Sequence, residues 1–370
     1  MKRKGLLVTC LVMVLLLSLM GACAKPAPAP APVPAPAPTV APAPVPVPAP
    51  SLGKPTYHYK WRMSAGWPEE IEGSQSIIRW LGKIRDRTEG RVDIKHYFSA
   101  VLGSWDATNE MLIRGDIETL FETLDDSYDP RLAIGYYIPY VMKTYEEAEK
   151  AWAPGGVVYE ILNDVTASLG YRVLGAFNAG LSGVTLKNRP PSPGDPDVKK
   201  NMKIRVMALT ACRLTYERLG YMTTAIPWGE VYTSLQTGIV DGQMGGGAQQ
   251  ACMLKDVQKY YVHYCDFIEP QWFSVNEACF QSLDPIDQKV MIDVSQEEQR
   301  MQFQRVKEMD EKFMKEFRDY GNEVILLTPA ELDKCAAAVR KDVWPKLEPL
   351  IGKALIYRMC DELGIPRPVK

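Results

Sequence analysis

Val231-Tyr-Thr-Ser-Leu-Gln-Thr-Gly238-Ile-Val-Asp241 reads as a short helix, a glycine stop and the start of a strand. Asn109-Glu-Met-Leu-Ile-Arg-Gly115-Asp-Ile-Glu118 reads the same way, about a hundred residues earlier. Glycine suits both positions because the residue after a helix often turns through positive φ. Two copies so far apart cannot build a solenoid. Either the chain holds two similar α/β lobes with a cleft between them, or two ordinary helix ends resemble each other by chance.

The surroundings favour strands alternating with helices. Thr56–Met63 and Arg91–Phe98 alternate in strand fashion. Between them Ile71–Thr88 has a helical period, with Ile77, Ile78, Leu81, Ile84 and Arg85 near one face and Gly90 as its stop. That order predicts an α/β fold with a largely parallel sheet. Further on, Asp284-Pro285 predicts a helix start. The apolar stripe from Val290 through Met301 to Phe317 is too long for an ordinary helix, so it crosses between lobes or bends. Glu323–Leu327 reads as a short strand, and Thr328-Pro-Ala-Glu331 as a capping box that opens another helix.

Composition separates a distinct N-terminus from this body. The chain has 370 residues, 43 Lys and Arg against 45 Asp and Glu, and a formal net charge of −2. Lys2, Arg3, Lys4 and Lys25 are the charged residues of the first fifty, so the body is the acidic part. A mildly acidic body argues against a nucleic-acid partner, which needs a basic face, yet permits a local basic pocket for a small anion. Met1-Lys-Arg-Lys4 followed by an apolar run to Met20 matches a signal peptide over residues 1–22. Met20-Gly-Ala-Cys23 then resembles a bacterial lipobox, with Cys23 as the acylated residue that tethers the protein to the membrane, in the periplasm or on the outer face of the cytoplasmic membrane; the alternatives are an ordinary signal peptide with an incidental cysteine and an uncleaved anchor. Residues 23–53 form a linker in which 12 of the 29 prolines fall between Pro26 and Pro50. Such a tract holds a polyproline II shape of about 3.1 Å per residue and cannot pack a core.

Few residues offer catalytic chemistry. His58, His96 and His263 lack metal-ligand spacing and read as structural. Neither a nucleophile elbow nor a P-loop occurs, and Gly245-Gly-Gly247 lacks the Lys-Ser/Thr that a phosphate cradle requires. No catalytic residue, metal or cofactor is expected. Cys212, Cys252, Cys265, Cys279, Cys335 and Cys360 fit no zinc pattern; an exported protein permits disulfides, but their apolar settings favour mostly free, buried thiols. Met202-Lys-Ile-Arg-Val206 is the most informative strand. Its alternation puts Lys203 and Arg205 on the face opposite Met202, Ile204 and Val206. Arg205 is then either a solvated surface arginine or, in a cleft, a guanidinium fork for a carboxylate.

Lys203-Ile-Arg-Val206, Leu219-Gly220 and Ile226-Pro-Trp-Gly-Glu through Asp241-Gly-Gln243 resemble the DctP-type solute-binding proteins of TRAP transporters. The resemblance extends upstream through Gly90-Arg-Val, Leu102-Gly103 and Gly115-Asp-Ile, and downstream through Asn276 and Leu283. It implies a two-lobed α/β fold with a ligand cleft and a long lobe-spanning helix. Lobe 1 is then residues 54–180 with 271–310, and lobe 2 residues 181–270 with 311–370. It also implies an extracytoplasmic receptor that takes an organic acid on Arg205 and delivers it to the membrane subunits of a permease. The resemblance places Trp228, Tyr232, Gln243, Met244 and Gly245 around the ligand, together with Ser182 and Trp67. The sequence departs from the family at two polar contacts. Met244-Gly-Gly246 stands where relatives often carry Glu-Asn-Pro, and Leu181-Ser-Gly-Val184 lacks a second arginine. A monocarboxylate with an apolar or aromatic body is therefore expected rather than a small dicarboxylate. Competing functions are a lipoprotein enzyme acting on a small carboxylate and a ligand-sensing subunit for a receptor kinase. The oligomeric state is left open.

Overall fold

Residues 58–135 and 138–367 are described by a computed structural model. The signal-like segment, Cys23 and the proline tract lie outside the described residues. The first five elements are β1 (Tyr59–Ala65), α1 (Glu72–Arg87), β2 (Val92–Tyr97), α2 (Trp105–Arg114) and β3 (Thr119–Glu122). The three strands run parallel in the order β2-β1-β3. Next come α3 (Tyr145–Trp152), α4 (Val157–Ser168), the long β4 (Tyr171–Leu181) and the short β5 (Val184–Leu186). The opening pattern then returns as β6 (Lys203–Val206), α5 (Thr210–Arg218), β7 (Met222–Ala225), α6 (Trp228–Gln236) and β8 (Gly242–Met244). These strands are again parallel, in the matching order β7-β6-β8.

The repeat is therefore architectural and not a chance likeness of helix ends. Register agrees in detail. Met63 lies beside Thr119 in the first sheet as Ile204 lies beside Gly242 in the second, and each partner follows its helix-ending glycine by four residues. Gly115 and Gly238 have φ of 78° and 75°, in the left-handed region that suits glycine. The strands begin later than the sequence reading placed them. After each glycine the chain must drop from the helix layer to the sheet layer, and the buried Ile117 and Val240 anchor that descent.

The chain finishes with α7 (Ala248–Met253), β9 (Tyr260–His263), β10 (Ile268–Asn276), α8 (Glu277–Ser282), α9 (Pro285–Asp319), β11 (Glu323–Leu326), α10 (Pro329–Asp342), α11 (Trp344–Ile351) and α12 (Lys353–Leu363). One sheet has the order β2-β1-β3-β10-β4 and the other β11-β9-β5-β8-β6-β7. The result is a two-lobed α/β molecule, one sheet to each lobe. The chain passes between sheets at Ser182-Gly183 and again over Tyr264–Phe267. These crossings bond to each other: Ser182 donates its N–H to Phe267 O at 2.8 Å and Cys265 donates to Ser182 O at 2.9 Å.

Helix α9 spans 35 residues, which is about 52 Å of helix. Asp284 caps it by accepting from Ile286 N, and Pro285 occupies the first turn, where a missing N–H costs nothing. At its start the buried Asp287 pairs with Arg91 at 2.8 Å, and Ser295 accepts the Trp80 indole N–H at 3.1 Å. Further along, buried Asp310 accepts the Tyr145 hydroxyl, and Phe317 packs edge-on against Tyr261 of the second sheet. Aromatic packing fills the first lobe, with Trp80 against Phe273 at 5.1 Å between ring centroids. Full burial of side chains this size stabilises by about 1.5–3 kcal/mol each. All six body cysteines are free thiols, and Cys212, Cys252, Cys335 and Cys360 are buried.

Candidate ligand-binding site

In an open α/β sheet the crevice for a ligand lies beyond the carboxyl ends of the strands, where the strand order reverses. This fold has two such points. From β1 the chain goes to β2 on one side and β3 on the other, so the first crevice lies beyond Ala65 and Glu122. By the same reasoning the second lies beyond Val206 and Met244, at the ends of β6 and β8.

Arg205 stands at the second point. It is only 6% exposed, so the solvated-surface alternative is excluded. Its Nε donates to the Ile226 carbonyl at 2.8 Å, and its guanidinium lies 5.9 Å from the ring of Trp228. The carbonyl sets the plane of the fork and the indole covers one side of it, which gives a cationic side chain a fixed direction. Gln243 is its register partner on β8, fully buried, with Nε2 donating to Gly245 O at 3.3 Å. The Gln243 Oε1 has no hydrogen-bond partner among the described residues. Gly245 follows at φ 101°, its N–H on Gly183 O at 3.2 Å.

Other residues singled out in the sequence have different settings. Trp67 lies just past β1 at the first crevice, packed edge-on against Phe177 at 5.8 Å. Met244 is fully buried in the core and pairs with Val184. Ser182 belongs to the crossing between the sheets, where its hydroxyl donates to Asp266 Oδ1 at 2.6 Å. Tyr232 is 41% exposed on α6 and its hydroxyl bonds Asp256, so the fold does not bring it into the buried group around Arg205.

The structure adds acids that the sequence reading passed over. Glu122 ends β3 with its carboxyl set against Gly66, just past β1, where the backbone N–H groups of Gly66 and Thr123 favour its charged form. A Cβ built on Gly66 would fall 2.6 Å from Glu122 Oε1, so only glycine permits this approach. Burial, together with the field of Glu269, pushes the Glu122 carboxyl up to about 8. Burial likewise pushes Asp126 to about 7, with Asp125 adding to the rise. Glu269, on the hinge strand β10, accepts from Gln250 Nε2 at 3.0 Å, and Gln250 is seated against Gly246 of the second crevice. The Cys212 thiol lies in the combined field of Asp266, Asp126, Arg205 and Glu269. Glu269 is the link the structure shows between the two strand ends, acting on Glu122 through its field and accepting from Gln250 beside Gly246. His263 is a different case: burial lowers its imidazole to about 4, and its Nε2 faces Leu181 O at 3.2 Å. Among the described residues no cluster of His, Cys, Asp and Glu is arranged to hold a metal.

The sequence pattern of the bacterial extracellular solute-binding proteins, family 7, matches residues 65–348. The chain belongs to this family. A family 7 protein is a binding protein and not an enzyme, and the family acts outside the cytoplasm. The ectoine-binding periplasmic protein TeaA of Halomonas elongata is 26% identical over 286 residues, covering 74% of this chain and 80% of that protein. A solute-binding protein of Verminephrobacter eiseniae is 26% identical over 289 residues, or 77% of this chain and 83% of its own. Among solved structures, a TRAP periplasmic solute-binding protein from Desulfovibrio salexigens with bound orotic acid superposes with a TM-score of 0.75. It shares 21% identity and covers 83% of this chain and 99% of its own. The sugar acid binding protein of Advenella mimigardefordensis, in complex with galactonate, gives a TM-score of 0.74 at 19% identity, with 83% and 98% covered. Among the described residues, no helix is long and apolar enough to cross a membrane.

Proposed function

We propose that this family 7 binding protein captures an organic acid between its lobes, with Arg205 as the carboxylate anchor, and presents it to a TRAP-type permease. The observation that carries this reading is the guanidinium itself. It is buried at the switch point of the second sheet and oriented by Ile226 O and Trp228. A planar fork held in this way suits bidentate pairing with a carboxylate. The solved neighbours that hold orotic acid and galactonate support an acid as ligand. Trp228 and Trp67 supply apolar surface for the body of the ligand, and the absence of a second arginine in Leu181–Val184 favours one carboxylate over two.

We assign 54–180 with 271–310 to one lobe and 181–270 with 311–370 to the other; the sheets themselves are joined at Ser182-Gly183, at Tyr264–Phe267 and along α9, which leaves the start of β10 on the first sheet's side of that boundary. Acylation at Cys23 and the proline linker would keep the receptor beside its permease. The test is calorimetric titration of the full chain and its Arg205→Ala variant with a panel of monocarboxylates and dicarboxylates. We expect tight binding of a monocarboxylate, a loss of at least a hundredfold in the variant, and an unchanged far-ultraviolet dichroism spectrum. Retained affinity in the folded variant would remove Arg205 from the site.

A further inference from the structure

The end of β4 in the first sheet and the glycine loop after β8 in the second meet against one side chain, Asp310 of α9. A Cβ built on Gly180 would fall 2.6 Å from Asp310 Oδ1 and 3.1 Å from Gly247 Cα. One built on Gly247 would fall 2.9 Å from Gly180 Cα and 3.1 Å from the same oxygen. Two facing glycines thus let a single carboxyl close the junction. A third element joins them, since Tyr145 of α3 donates its hydroxyl to Asp310 and accepts the Leu181 N–H at 2.9 Å. The backbone N–H groups of Leu181 and Ala248, one on each side of the junction, favour the charged carboxyl. The Leu181 carbonyl is held as well, accepting from the Tyr261 hydroxyl at 3.3 Å and facing His263 Nε2 at 3.2 Å.

Asp310 is buried, and among the described residues no lysine or arginine pairs with it. Hydrogen bonds alone then offset the cost of a buried charge, and burial raises this carboxyl to about 7. The other titratable groups facing it keep one state near neutral pH. Burial, reinforced by Asp310, holds the Tyr145 phenol protonated, and burial does the same for Tyr261. It also raises the Cys265 thiol to about 12 and lowers the His263 imidazole to about 4. Asp266, raised by burial to about 6, is bonded by the Ser182 hydroxyl in the neighbouring crossing. Between pH 6 and 8, Asp310 is the group at this junction that changes charge most.

We propose that Asp310 is a proton-operated clasp between the lobes: with its proton it keeps the end of β4 pressed on the glycine loop 245–247, and loss of the proton favours their parting. The reason is linkage. A motion that separates Gly180 from Gly247 admits water to the carboxyl and returns it toward its ordinary value, so the parted junction holds a proton less tightly. Rising pH therefore favours the parted form, and the effect levels off once the closed form is itself ionised, above about 7. The loop concerned carries Gly245 and follows Gln243, the register partner of Arg205, so its loosening reaches the candidate site whatever ligand is taken.

Hydrogen–deuterium exchange of the ligand-free full chain in detergent, read by mass spectrometry, tests this directly. The peptides followed are those covering residues 178–184 and 244–252, at pH 6, 7, 8 and 9, with each rate divided by the intrinsic exchange rate at that pH. Protection of both segments should fall about fivefold or more from pH 6 to pH 8, then level off, and Asp310→Asn should reduce the fall to about twofold or less. Tyr145→Phe keeps the carboxyl but removes a hydrogen bond to its charged form, so the fall should persist and level off at a higher pH. That variant carries the test should the asparagine variant fail to fold. Protection that does not change with pH in the native chain, a fall undiminished in Asp310→Asn, or an unmoved profile in Tyr145→Phe would overturn the proposal.

Discussion

Arg205 and Glu122 are both buried charged residues at or near strand ends, and they are unequally visible in the sequence. Lys203-Ile-Arg-Val206 alternates so plainly that a strand-borne arginine can be read from it, and the structure removes the solvated-surface alternative by burying it. Glu122 closes an apolar Thr119-Leu-Phe run and looks there like the polar end of any strand. Its burial comes from Gly66, a residue distant in sequence whose lack of a side chain lets the carboxyl settle on the backbone. The 41% exposure of Tyr232 is likewise beyond local pattern, since exposure depends on what the rest of the fold leaves uncovered. The raised Glu122 carboxyl has a consequence for stability. Its folded value of about 8 lies above the ordinary 4.5, so the folded state favours the protonated form. The contribution is complete below about 4.5 and is lost as pH rises through 8. Asp126 and Asp310, each raised to about 7 by burial, act in the same direction. Thermal melts of the ligand-free chain should therefore show a falling midpoint from pH 5 to pH 8.5, and Glu122→Gln should flatten part of that fall. Parallel curves for the two proteins would show that Glu122 ionises as freely folded as unfolded.

At the scale of elements, local signals located helix starts well and strand starts less well. Thr328 accepts from Glu331 N while the Glu331 carboxylate accepts from Thr328 N, so the capping box read from the sequence is formed in full. A second box, Thr144 with Glu147 at the start of α3, had the same signature and was passed over. Thr328→Ala should cost about 1 kcal/mol of stability in chemical denaturation and leave ligand affinity unchanged. The glycines differ from one another in a way that only the fold reveals. Gly238 faces open space, so an alanine there meets only the strain of φ 75°, about 1–2 kcal/mol. Gly180 sits at the end of β4 with φ 108°, and an added Cβ would fall 2.6 Å from Asp310 Oδ1 and 3.1 Å from Gly247 Cα. Asp310 also accepts the Tyr145 hydroxyl, and Tyr145 in turn receives Leu181 N–H at 2.9 Å. Gly180→Ala should accordingly lower stability by clearly more than Gly238→Ala, as measured by denaturant midpoints side by side. Equal losses would mean that this junction yields without strain.

Across the whole molecule, the two βαβαβ units explain why one chain has two crevices and why each brings its own charge. The sequence shows the repeat through two helix-ending glycines, but the joining of the two sheets depends on the crossings at Ser182-Gly183 and Tyr264–Phe267, which carry no motif. Short crossings of this kind can act as hinges, and closure around a ligand is the ordinary behaviour of such a hinge. Part of the body's acidity is buried, in Glu122 and Glu269. The most direct measurement of the central claim is mass spectrometry of the small molecule retained by the full chain through native purification, alongside its Arg205→Ala variant. The expected result is a single retained species bearing a carboxylate, absent from the variant. A retained neutral molecule, or equal retention by the variant, would contradict the assignment of this protein as a carboxylate receptor anchored by Arg205.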